Sequence, residues 1–124
     1  MAANRMTISW DTADLRSKLA KVPQESMRQL TSETDKYALV AQNHARTNAP
    51  WTDRTGNARQ GLFAQPFSDN KSFEIVLYHT MPYGIWLERR WGGRYSIIPD
   101  TVTRVSRVYT AAMTAKLADI LRGV

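Results

Sequence analysis

The feature that most constrains this chain is a run of apolar and small residues bracketed by two prolines. Met27, Leu30, Thr34, Tyr37, Ala38, Ala41 and Ala45 recur at three- and four-residue spacings between Pro23 and Pro50. That spacing places them on one face of a helix, while Arg28, Glu33, Asp35 and Lys36 fill the remainder. Pro23 bends or interrupts the helical pattern on one side, and Pro50 forces the residue before it out of helical geometry on the other. The expected helix runs to about Thr47 and stops near Asn48. Its small residues Ala38, Ala41 and Ala45 let another element approach closely.

A chain of 124 residues fits one domain, here residues 1–124. Ahead of the long helix, Met6 to Trp10 alternates as a short strand. Asp11 reads as an N-cap for a helix from Thr12, with Leu15, Leu19 and Val22 on one face and Asp14 favourably placed against the N-terminal dipole. After it, WTDRTGN at Trp51 to Asn57 is turn chemistry. Leu62 to Phe67 and Phe73 to Tyr78 read as two strands of a hairpin closed by Ser68, Asp69, Asn70 and Lys71, and Pro66 marks the first as an edge or bulged strand.

Tyr83 to Glu88 reads as a short helical turn, and RRWGGRYSIIP as a glycine-broken loop leading into a strand. Asp100 is placed to cap a closing helix in which Val102, Val105, Tyr109, Ala112, Lys116, Leu117 and Ile120 repeat at helical spacing. The expected class is α+β, with a long broken N-terminal helix and a C-terminal helix packed on a small antiparallel sheet.

Composition narrows the chemistry. The chain has no cysteine, so it offers no disulfide, thiolate ligand or cysteine nucleophile. Met1 to Trp10 lacks the apolar core of a signal peptide, and nowhere do about 18 apolar residues run together, so a soluble intracellular protein with no membrane partner is expected. Lys and Arg number 17 against 11 Asp and Glu, a formal charge of +6 that invites nucleic acid. Twelve of those cations are Arg, whose planar fork also suits protein interfaces.

His44 and His79 are isolated on different elements, with His44 expected on the exposed side of its helix and His79 at a strand end; no metal or other cofactor is expected. There is no GxSxG elbow, no Ser-x-x-Lys motif and no glycine-rich phosphate cradle, and the acids are scattered over helical faces and turns.

One segment stands apart. WLERRWGGRY, from Trp86 to Tyr95, packs two Trp, one Tyr and three Arg into ten residues. The Trp side chains belong to the core with Arg facing solvent, or the mixture forms a protein interface, or it stacks bases and grips phosphates.

The order of motifs is also distinctive. A long helix ends in Pro50 and is followed by a Thr55-Gly56 turn, a β segment from Phe73, the YGIWLE core from Tyr83, and a proline before the closing helix. In this the chain resembles the small tail-completion or head–tail joining (neck) proteins of long-tailed bacteriophages. In that family a P-x-x-T-G-x-L-like turn precedes a Y-x-x-[aromatic]-x-E-x-G-like motif. Pro50, Thr55 and Gly56 match the first, and Tyr83, Trp86 and Glu88 match the second. The turn is longer here, with Asn57, Ala58 and Arg59 in place of a compact run, and Arg89, Arg90 and Trp91 intervene before the glycine.

The resemblance implies a structural virion protein, not an enzyme. It would be made in the bacterial host cytoplasm and assembled with itself into a homo-oligomeric ring, taken as six-fold, at the phage neck. Its neighbours would be head-closure and tail proteins, and DNA would pass through the lumen without specific binding. Trp86, Arg89, Arg90, Trp91, Arg94 and Tyr95 are then the expected subunit or partner interface, with Glu88 available for ion pairs between copies. The alternatives are a small basic nucleic-acid-binding protein, or an enzyme such as a small hydrolase or an RNA-cleaving toxin, which would need His44 or His79 beside a cationic cluster.

Overall fold

The computed structural model of the chain describes residues 5–10, 15–48, 61–69, 72–80 and 97–123. In chain order these form strand β1 (Arg5–Ser9), helix α1 (Leu15–Leu19), helix α2 (Gln24–Asn48), strands β2 (Leu62–Ser68) and β3 (Phe73–His79), and helix α3 (Ile98–Arg122). The architecture is α+β, as the sequence leads one to expect. Pro23 separates α1 from α2, because its ring removes a donor and its carbonyl, accepting from Ser26 and Met27, opens the new helix. At 25 residues, α2 is about 37 Å long at ~1.5 Å per residue, the span of a small domain.

The sheet is antiparallel throughout, in the order β1-β3-β2. Pro66 therefore lies on an edge strand, paired in regular register with Ile75 and without a bulge. The hairpin turn between β2 and β3 is fastened by Asp69, whose carboxylate accepts from the Ser72 amide at 2.8 Å and from its hydroxyl at 3.1 Å.

One face of the sheet carries Ile8, Leu62, Phe73, Ile75 and Leu77, all buried, under the two long helices. α2 lies over β2 and β3, and α3 over β1. The helices run antiparallel, since Thr34 meets Tyr109 while His44, further along α2, meets Asp100 at the start of α3.

The main core joins Trp10, Leu30, Ala38 and Ala41 to Val105, Tyr109, Met113 and Leu117. The buried face of α3 differs from the expected one: Thr101 and Met113 are fully buried, while Val102, Ala112 and Lys116 sit at its margins. Two further expectations are corrected at its start. Asp100 is not the cap; Ile97 is, and Asp100 is the third residue inside the helix. Nor does a strand occupy residues 97 and 98, because Ile97 and Ile98 pack against Ala45, Leu62 and Leu77 and draw the chain into its first turn there. Pro99 suits that turn, where a missing N–H costs nothing. The expected cap at Asp11 and the helical turn at Tyr83 to Glu88 lie outside the described residues.

Candidate functional site

Four chain ends converge at one end of the fold: the close of α2, the start of β2, the close of β3 and the start of α3. Their apolar bed is Ala45, Leu62, Leu77, Ile97 and Ile98, with Met6, Ala64 and Val102 against it. Around it the backbone is pinned by polar contacts. The Thr80 amide and hydroxyl both donate to the Gly61 carbonyl, at 2.8 and 3.0 Å. Arg46 Nε donates to the Leu62 carbonyl at 2.9 Å, and its guanidinium lies 5.0 Å from the centre of the Phe63 ring.

On the helical side, His44, Asp100 and Arg104 form a chain of contacts. His44 Nε2 lies 3.4 Å from Asp100 Oδ2, and Arg104 Nε donates to both carboxylate oxygens at 3.2 Å. The Asn48 amide donates to the His44 carbonyl at 2.9 Å and lies 3.3 Å from its Nδ1. Burial alone would raise the Asp100 carboxyl, but the hydrogen bonds and positive charge of Arg104 and His44 outweigh it and hold it below the ordinary value.

His44 is thus neither isolated nor on the exposed side of its helix: it is half-buried, and it reaches across 56 positions of sequence to Asp100. His79 lies at the strand end as expected, and is buried there. With Asp100 on one ring nitrogen and Asn48 on the other, His44 is held as a clamp between helices. Among the described residues no group of three or more His, Asp or Glu is placed to hold a metal ion, and no helix is long and apolar enough to cross a membrane.

These contacts fix the attachment points of the two segments that carry the sequence motifs. Residues 49–60 join Asn48 to Gly61, and residues 81–96 join Thr80 to Ile97, so both depart from and return to the same end. Pro50, Thr55, Gly56, Tyr83, Trp86, Glu88, Arg89, Arg90, Trp91, Arg94 and Tyr95 all lie outside the described residues.

Sequence reasoning missed the framework residues Arg46, Asn48 and Arg104, and read Asp100 only as a helix cap. Each belongs to a helix whose periodicity assigns it only a polar position; Arg46 meets Leu62, 16 positions away, and Asp100 meets His44, 56 positions away, while Asn48 and Arg104 join through partners four residues away on their own helices. A second exposed surface is the outer face of the sheet, where Phe63 and Phe67 are 38% and 50% exposed beside Tyr78 and Arg5. Compared with protein-family models, with curated proteins and with solved structures, the chain matches none.

Proposed function

We propose that this chain is a structural virion subunit that rings the neck of a long-tailed phage and joins the DNA-filled head to the tail. The reading rests on the order of the two motifs, Pro50-Thr55-Gly56 and then Tyr83-Trp86-Glu88. The observation that supports it is the common origin of the segments bearing them. Two segments rooted side by side on a rigid apolar bed are suited to present one combined surface to a neighbour. Trp and Arg, concentrated in the second, are the residue types that dominate binding energy at such surfaces. The role is one of assembly, with the host cytoplasm as the place of synthesis and the neck as the destination.

The test is electron microscopy, end-on, of the purified chain alone and of the chain added to DNA-filled, tail-less heads. A closed ring of more than two copies, lost in Trp86→Ala plus Trp91→Ala, is the expected result. Failure to ring both alone and on the tail-less heads overturns the proposal.

A second reading, binding to nucleic acid, is favoured by the net charge of +6 and by the aromatic outer face of the sheet. It requires tight binding to generic strands with affinity falling steeply as salt rises.

A further inference from the structure

The two edges of the sheet are built differently, and the difference can be read from the hydrogen-bond alternation. Trp10, which follows Ser9 in register and so stands opposite Phe73, donates its amide to the Phe73 carbonyl at 3.2 Å. In an antiparallel ladder, residues two apart face the same way. Ile8 and Met6 therefore also bond inward to β3, and Arg5, Thr7 and Ser9 direct their N–H and C=O groups away from the sheet. On the other side the Thr80 amide bonds to Gly61, so Phe63, Gln65 and Phe67 bond inward and Leu62, Ala64 and Pro66 face outward.

Three of the outward groups of β2 are occupied or missing. Arg46 takes the Leu62 carbonyl, Gln42 Oε1 takes the Ala64 amide at 3.2 Å, and Pro66 has no N–H. That edge is closed to another strand. On β1, among the described residues, nothing bonds to the outward groups of Arg5, Thr7 and Ser9, whose side chains are all exposed.

We infer that β1 is a docking edge for β1 of a second copy, paired antiparallel about a two-fold axis through Thr7. Centring on Thr7 is the only register that matches all three outward-facing residues of each copy: Thr7 with Thr7, and Arg5 with Ser9 in both directions. Each pair would exchange both N–H···O bonds. Sliding the strands to bring Arg5 opposite Arg5 sets like charges together.

Charge is complementary across the join. Ser9 stands beside Glu74 within one copy, so the outer-face row would run Phe67, Glu74, Ser9, then Arg5, Tyr78 and Phe63 of the second copy. Arg5 would lie two strand spacings from Glu74, ~10 Å between backbones, which two long side chains span across the small Ser9. On the inner face, half-buried Met6 would gain cover from Ile8 of the second copy. Because β2 is closed, the combined sheet ends after six strands and does not propagate. The contact is isologous and saturates at two, so it is additional to any ring of head-to-tail neighbours.

The experiment is light scattering over a concentration series, with Thr7→Pro as the first variant. The Thr7 amide takes no part in the chain's own ladder, so proline there removes only the intermolecular donor, as Pro66 does on the opposite edge. The expected result is a mass rising with concentration towards twice 14.1 kDa, and a Thr7→Pro chain of unchanged circular dichroism that stays at 14.1 kDa. A second pair of variants needs no proline. Arg5→Glu should weaken the dimer about tenfold, since two cross-strand charge contacts are reversed, and adding Glu74→Arg should restore it. A chain that is single at every concentration overturns the inference, as does a dimer indifferent to Thr7→Pro and Arg5→Glu. A larger closed oligomer insensitive to both also overturns it, while leaving the neck reading standing.

Discussion

The two long helices are of equal length, 25 residues each, yet beyond Met27 and Leu30 in its first turns α2 buries small side chains where α3 buries large ones. Over its last four turns α2 offers the sheet and its neighbour Ala38, Ala41 and Ala45, whereas α3 offers Val105, Tyr109, Met113, Leu117 and Ile120. Small against large lets the helices approach closely without voids, which is how dense interiors are filled. Each helix also buries one threonine completely, Thr34 on α2 and Thr101 on α3. The Thr34 hydroxyl both donates to the Leu30 carbonyl at 3.1 Å and meets the Tyr109 hydroxyl at 2.8 Å. α2 is thus the shelf and α3 the filling, joined by one buried polar contact in the middle and one half-exposed cluster at the end.

The contrast can be broken from the filling side first. Tyr109→Ala removes the largest fully buried side chain among the described residues, and its ring contact with Tyr37 at 5.9 Å; urea unfolding should show a loss of about 3–5 kcal/mol. From the shelf side, Ala41→Leu forces branched carbon into a position with no exposure at all, and should cost about 1–3 kcal/mol by the same measurement. The reverse sign, stabilisation, would mean that the helices are not closely packed there.

The buried contact is sharpened by Tyr109→Phe, which keeps the ring and deletes the hydroxyl, at a cost of about 1 kcal/mol. It also has a pH signature. Burial, reinforced by the charge of Glu74 and partly offset by the Thr34 hydrogen bond, pushes the Tyr109 phenol from 10.0 up to about 12. A group that holds its proton more tightly when folded stabilises the fold fully below its unfolded value and loses that contribution as the pH rises. Stability should therefore fall between about pH 10 and about pH 12, and the difference from Tyr109→Phe should narrow across that window.

The smallest effect lies at the end cluster. Asp100 is held below its ordinary 3.8, so its contribution is present above that pH and disappears as the pH falls through the lower folded value. At a half-exposed site screened by solvent, Asp100→Asn should cost at most about 0.5 kcal/mol at neutral pH and nothing in strong acid, as read by thermal melts at both.

Much of this arrangement is legible in the sequence because prolines and periodicity act locally. Pro23 and the repeat from Met27 to Ala45 specify α2, and Pro66 marks an edge strand, because a missing donor can be tolerated only where no partner strand needs it. The start of α3 is not legible. Asp100 has the chemistry of a cap, but the burial of Ile97 and Ile98 against residues far away in the chain begins the helix earlier. His44 reads as a solvated residue until Asp100 is brought to it. Of the proposed interface, the segment from Trp86 to Tyr95 stands out by its Trp and Arg content, whereas Pro50, Thr55, Gly56, Tyr83 and Glu88 are singled out only through resemblance, since their spacing carries no periodicity of its own.

The sequence by itself determined α2, the three strands and the body of α3, and so the α+β class, because those follow from side-chain spacing over a few turns. Only the tertiary structure decided the strand order β1-β3-β2, the pairing of Thr34 with Tyr109, and the covering of one sheet edge by Arg46 and Gln42 while, among the described residues, nothing bonds to the other. These depend on contacts between residues 16 to 75 positions apart, where no local energy term distinguishes one partner from another until the core has assembled.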